Sequence, residues 1–229
     1  MDNPDISGAE LCRALAEIRW VNRRLGGTSA ILKEIKKLKP ENRTLSILDL
    51  GAGSADIPRA IVDWGRTHHI NVQATALDLS PIVLEEAKKL YANYPEIRCI
   101  QGDALNLPYE DESFDLAISS MFMHHLGEDE APVLLRNMAR VSKIGLVVND
   151  LERHPFAWLG IRLLGQLTGK SAMFMNDAPL SVLKGFSYQD MKRLCEKAPL
   201  SSYAIQRRAP FRWLLTSWKN PVEKTSHEG

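Results

Sequence analysis

The sequence predicts an α/β fold built on a largely parallel sheet, and three observations carry that expectation. Five short apolar runs, "SILDL", "VQATALDL", "IRCIQGD", "FDLAISS" and "IGLVVND", follow one another between residues 46 and 150. Helix-like segments come after the first, second and fourth, which is the rhythm of strands joined by crossover helices. A glycine-rich turn, "DLGAGSAD", closes the first run, where sheets of this kind gather their ligands. The 229 residues suffice for one core, so a single domain over 1–229 is expected, with N-terminal helices or lid at 1–40, a core at 45–150, a lid or acceptor segment at 151–185, and a helix and hairpin at 186–219.

Residues 8 to 38 read as two helices, "GAELCRALAEIRWVNRRL" and "SAILKEIKKL", broken at Gly26-Gly27. In the crossover after the second run, Ser80 is placed to cap the helix and Pro81 suits its first position. Leu84, Ala87, Leu90 and Tyr91 share a face there, and Glu85 and Lys89 form an i,i+4 pair. The segment "RHPFAWLGIRLLGQLTG" is apolar and aromatic but too short to cross a bilayer, and a lid is its expected role. "FSYQDMKRLCEKA" opens on Ser187 with Asp190 three residues on, a capping-box pattern, and presents Met191, Leu194, Cys195 and Ala198 on one side. "SYAIQRRAPFRWLLTSWK" alternates around Pro210 and predicts an antiparallel hairpin at the end of the sheet. Residues 220 to 229 read as a frayed tail.

Composition excludes more than it assigns. The formal charge of +1 and the 25% charged fraction provide no general drive toward nucleic acid or an anionic surface. The basic cluster "RRAPFR" at 207–212 reads as a solvated face. Neither a signal peptide nor a membrane span is legible, so a cytoplasmic location is expected. Cys12, Cys99 and Cys195 are too scattered for a disulfide framework or a metal site, and are expected to be buried or half-buried thiols.

The turn after the first run lacks the third glycine of G-x-G-x-x-G, because Asp56 stands three residues after Gly53, and no Walker lysine follows. Instead, each of the first three strands ends in an acid: Asp49 before Gly51-Ala52-Gly53, then Asp78, then Asp103. Three carboxylates repel a pyrophosphate but suit a ligand with cationic groups, a diol and an exocyclic amine, the features of S-adenosylmethionine. Gly51 and Gly53 let the backbone approach its methionine part. Asp78, 27 residues after Gly51, sits near the offset of ~20 residues at which an acid meets ribose hydroxyls, a feature shared with NAD sites. Asp103 is placed for the adenine edge, and Ser119-Ser120 end the fourth strand.

With "ILDLGAGSAD", "ALDLSPIVLEEAK", "GDALNLPYEDESFDLAISSMFMHHL" and "LVVNDLERHP", residues 45 to 150 resemble the class I S-adenosylmethionine-dependent methyltransferases, in particular the ubiquinone/menaquinone-biosynthesis-like small-molecule branch. The resemblance implies a Rossmann-like seven-stranded sheet of order 3-2-1-4-5-7-6, strand 7 antiparallel, with helices on both faces. It also implies that Asp49, Gly51, Ala52 and Gly53 line the methionine end, Asp78 with Leu79 the ribose, and Asp103 with Ala104 the adenine. Ala55 stands where the family's loop often has another glycine.

"MFMHHLGEDE" after the fourth run brings His124 and His125 toward the expected methyl position, and the fifth delivers Asn149, Asp150 and His154, each a candidate proton acceptor. An N-P-P-Y-like sequence, expected after the fourth strand of an enzyme that methylates nucleic-acid amines, is replaced by "SSMFMHH". Trp20, Met121, Phe122, Met123, Phe156, Trp158, Met173, Phe174 and Met175 point instead to a greasy acceptor cavity. A phenolic, quinol or polyketide-like acceptor methylated on oxygen is expected, as in secondary metabolism, by a monomer or homodimer using no metal. C-methylation of quinone type and a noncatalytic S-adenosylmethionine-binding subunit are the alternatives; a nicotinamide oxidoreductase would need a third loop glycine, which is absent.

Overall fold

The computed structural model describes residues 13, 16, 17, 19, 20, 24–38, 44–169, 171–200 and 202–219, with only the backbone at Ala172 and Met173. Cys12 and the 220–229 tail lie outside the described residues. The elements run α1 (Gly27–Lys37), β1 (Leu45–Leu50), α2 (Asp56–Thr67), β2 (Val72–Asp78), α3 (Pro81–Leu90), β3 (Ile97–Gln101) and β4 (Phe114–Ser120). A single 3-10 turn (Met123–His125) leads to α4 (Glu130–Val141), β5 (Ser142–Leu151), α5 (Pro155–Leu167), α6 (Ala172–Lys184), α7 (Tyr188–Lys197), β6 (Ala204–Arg208) and β7 (Arg212–Trp218).

The strands form one seven-stranded sheet of order β3-β2-β1-β4-β5-β7-β6. β1 to β5 are parallel and β7 pairs antiparallel with both β5 and β6, as the alternation around Pro210 predicts. Successive side chains of a strand point to opposite faces, and β1 shows what that does. Leu45 and Ile47 join Ile31 and Ile35 of α1 and Ile57 and Ile61 of α2 in one core, while Leu48 and Leu50 join Leu134 and Met138 of α4 and Met191 and Leu194 of α7 in the other. Both faces of the sheet are therefore covered, and the carboxyl ends of β1 to β5 share one edge where the loops are free to build a site.

Local signals hold with small corrections. The Ser80 hydroxyl accepts from Val83 N–H at the start of α3, and Ser187 with Asp190 forms the expected capping box of α7. On α3, Leu84 and Ala87 are buried but Leu90 is exposed. Glu85 pairs with Lys88 at 2.8 Å in place of Lys89, since a residue three along is as near on a helix surface as one four along. Gly26, with φ +78°, turns the chain into α1. Cys195 is buried and Cys99 half-buried.

Candidate active site

The loop after β1 is tied to the neighbouring strand by its backbone. Gly51 and Ala52 N–H both donate to Leu77 O, at 2.9 and 3.0 Å. Gly51 has φ +68°, and a Cβ there would lie 2.2 Å from Phe122 Cγ, so glycine is required both by conformation and by the ring pressed against it. Ala55 also holds a left-handed backbone, φ +56°, the conformation a glycine adopts without strain, so the departure at this position leaves the loop's shape intact.

The carboxylates differ in how they are held. Asp78 Oδ2 accepts from Gly53 N–H at 2.8 Å and Oδ1 from Ser80 N–H at 3.0 Å, so it braces the loop and the start of α3 together; each oxygen keeps a lone pair. Asp103 Oδ1 accepts from Leu105 N–H at 2.8 Å and the residue is exposed. Asp49 is buried at the end of β1, and its Oδ1 has no hydrogen-bond partner. Burial, and then the nearby Asp56 and Asp78 carboxylates, push Asp49 well above the usual carboxylate range. A buried oxygen without a donor, in a field that disfavours negative charge, is what a cationic group would satisfy. Leu79, next to Asp78, is 69% exposed, while Ala52 and Ala104 are buried. The Ser119 hydroxyl is committed to Leu50 O at 2.9 Å, whereas Ser120 Oγ accepts from Asn149 Nδ2 at 3.0 Å.

The three histidines part company. His124 is buried in the turn after β4, where its Nδ1 lies 2.7 Å from Asp150 Oδ1 and its backbone N–H donates to Asp150 Oδ2 at 3.2 Å. Burial raises Asp150, but the His124 ring and the hydrogen bonds from His124 and Leu151 outweigh it and hold the carboxyl below its ordinary value. An ionised Asp150 fixes the Nδ1–H tautomer, and His124 Nε2 is buried without a partner. His125 is exposed and stacks on His124 with centroids 4.2 Å apart. His154 Nδ1 accepts from Phe156 N–H at 3.2 Å, capping α5, and its ring packs on Phe211 at 4.9 Å. In that role its neutral ring carries the proton on Nε2 and is a donor.

Among the residues expected to line a greasy cavity, Phe122 sits against Gly51, Met123 and Phe174 are buried core, and Phe156 is 70% exposed. The "RRAPFR" cluster is also not a solvated face as a whole. Arg207 pairs with Glu152 and Arg208 with Glu34, and Arg212 is only 1% exposed. Arg212 Nε donates to Leu25 O at 3.2 Å, and burial lowers it to about 10 against the opposing pull of Asp150. Sequence alternation missed it because β7 is covered on both sides, so strand parity does not tell an inward arginine from an outward one.

Comparison with known proteins agrees with this arrangement. Residues 47–145 match the methyltransferase-domain family. A methyltransferase-like protein of Schizosaccharomyces pombe is 32% identical over 113 residues, 48% of this chain and 41% of that protein. A demethylmenaquinone methyltransferase of Staphylococcus haemolyticus is 33% identical over 105 residues, 46% of this chain and 42% of that protein. The crystal structure of human N-acetylserotonin methyltransferase in complex with S-adenosylmethionine superposes with a TM-score of 0.65 at 17% identity, over 94% of this chain and 57% of that one, which shows the shared fold. The chain spans between 30% and 58% of the length of the first curated relatives it matches.

Proposed function

We propose that this chain, whose residues 47–145 match the methyltransferase-domain family, transfers a methyl group from S-adenosylmethionine to a hydrophobic small molecule with a phenolic or quinol hydroxyl. The observation that carries the cofactor assignment is Asp49: a buried carboxylate with an orphaned oxygen, beside acids at the next two strand ends, calls for a cationic ligand. Asp49 would meet the ammonium end, Gly51, Ala52 and Gly53 would admit the methionine backbone, Asp78 and Leu79 would hold the ribose, and Asp103 with Ala104 the adenine; Ser119 supports the loop through Leu50. Bound there, the cofactor supplies an electrophilic methyl group and leaves the protein to align the acceptor and exclude water.

His124 is the base in this reading. With Nδ1–H held by Asp150, Nε2 has the lone pair that takes the acceptor's hydroxyl proton, and the resulting imidazolium is stabilised by the same carboxylate. His125 lies at the mouth, and His154 positions α5. The helices before residue 39 and the segment 151–185 would together close over the cofactor and acceptor; in support, Glu17 accepts from both Ser171 N–H, at 3.0 Å, and Ser171 Oγ, at 2.6 Å. Methylation at a quinol ring carbon is a second reading, favoured by the demethylmenaquinone relative.

Two measurements test the proposal. Calorimetry should detect S-adenosylhomocysteine binding at one site per chain and no NAD binding; tight NAD binding with no S-adenosylhomocysteine signal overturns the cofactor assignment. Transfer of labelled methyl to a panel of phenols and quinols should distinguish oxygen from carbon products, and cofactor binding without turnover on any of them would favour a noncatalytic subunit. Hydrogen exchange should slow in residues 15–30 and 151–180 when the cofactor product and an acceptor analogue bind together.

A further inference from the structure

Helix α5, "PFAWLGIRLLGQL", is apolar nearly all round, a composition that calls for cover on both sides. Its inner side has that cover: a Cβ on Gly165 would lie 2.3 Å from Met175 Sδ, so only glycine lets α6 approach this closely. The opposite side has none among the described residues. Phe156, Leu159, Leu163 and Leu167 fall on one stripe at helical spacing and are 70, 47, 48 and 84% exposed. Leu180 and Leu183, one turn apart on α6, are likewise exposed. Contiguous exposed apolar surface of this kind marks an interaction site.

The charge around the stripe chooses the partner. Residues 153–187 contain four cations, Arg153, Arg162, Lys170 and Lys184, and one carboxylate, Asp177, in a chain whose whole formal charge is +1. Arg153 is paired with Asp190, but Arg162 and Lys184 have no carboxylate partner among the described residues, and the Arg162 guanidinium lies 4.8 Å from the Trp158 ring centroid. A second copy of the chain would bring the same cations to the same stripe. At 13 residues α5 spans about 20 Å, short of the ~30 Å hydrocarbon core, so it is suited to lie on a bilayer and not to cross it. Phenylalanine, leucine and a flanking cation on a short helix are the makings of an interfacial anchor.

We infer that the outer stripe of α5, assisted by the exposed leucines of α6, docks the protein on an anionic lipid surface. α5 begins four residues after β5 ends, at the edge of the sheet where the acceptor must enter. On the reading of a hydrophobic acceptor given above, this face collects the acceptor from the bilayer that dissolves it.

Flotation of the full chain with vesicles tests the inference. Wild type should float with phosphatidylcholine vesicles containing phosphatidylglycerol and much less with phosphatidylcholine alone. The exposed double variant Leu163→Glu/Leu167→Glu should lose roughly tenfold or more in vesicle partition, and Arg162→Glu a smaller amount. Both should keep their thermal unfolding transition and S-adenosylhomocysteine binding, which keeps a failure of docking distinct from a failure of the methyltransferase reading. Absence of vesicle binding by wild type, equal binding by the double variant, or a wild-type dimer that the double variant converts to monomer without any vesicle binding would each overturn the inference.

Discussion

Two regions meet at the carboxyl edge of the sheet and are built on different principles. The β1–β3 side fixes its groups through backbone: two glycine-loop N–H groups reach Leu77 O, a third reaches Asp78, and short acids at strand ends have little rotational freedom. The β4–β7 side depends on buried side chains from distant parts of the chain, with His124 on Asp150 and Arg212 in the same electrostatic field and against Leu25. The difference reflects the ligands proposed for each. A cofactor of constant shape is served by a rigid backbone cradle, while an acceptor is served by packing, which varies without disturbing the cradle.

Substitutions on the two sides should therefore fail differently. His124→Asn should lower kcat by roughly a hundredfold or more, the ordinary contribution of a general base, and leave S-adenosylhomocysteine affinity unchanged; a parallel unfolding curve checks that the buried site survives. A comparable loss in cofactor affinity would erase the division between the two regions. Gly51→Ala should do the reverse. The strain of a Cβ at φ +68° against Phe122 is worth about 1–3 kcal/mol, so cofactor affinity should fall by roughly ten- to a hundredfold in calorimetry. Asp78→Ala removes charge-assisted bonds to the loop and the proposed bond to the ribose, and a loss of about tenfold in affinity is expected; an unchanged dissociation constant in the folded variant would remove Asp78 from the site.

The smallest effect sharpens the comparison through pH. Asp49 is raised in the free protein by burial and its acidic neighbours, and a cationic ligand favours its ionised form. Binding should then release protons, and affinity should rise as pH climbs through the elevated Asp49 range. Calorimetry in buffers of different ionisation enthalpy reads that proton count. Proton uptake would mean that the positive end of the ligand is not at Asp49.

How much of this was legible beforehand follows the range of the forces involved. Capping at Ser80 and Ser187, the strand rhythm and the breaks at Gly26 and Pro210 were readable because each is fixed by groups within a few residues in sequence. The acids at successive strand ends were readable for the same reason: topology delivers a strand end to the edge whatever the packing above it. Burial was not readable. Phe156 and Phe174 look alike in sequence, yet one stands on an open helix face and the other is enclosed, because that depends on where α6 closes on α5 across Gly165. Arg212 lies in a run of arginines that reads as solvated, and only the pairing of β7 between β5 and β6 places it in the interior near Asp150. The sequence alone determined the strand rhythm, the crossover helices after β1, β2 and β4 and the acids at the strand ends, since these arise from local periodicity and chain order. The tertiary structure alone decided which histidine has a buried carboxylate partner, which arginine is buried and which apolar face is left open, since those contacts join residues from 26 to 187 positions apart.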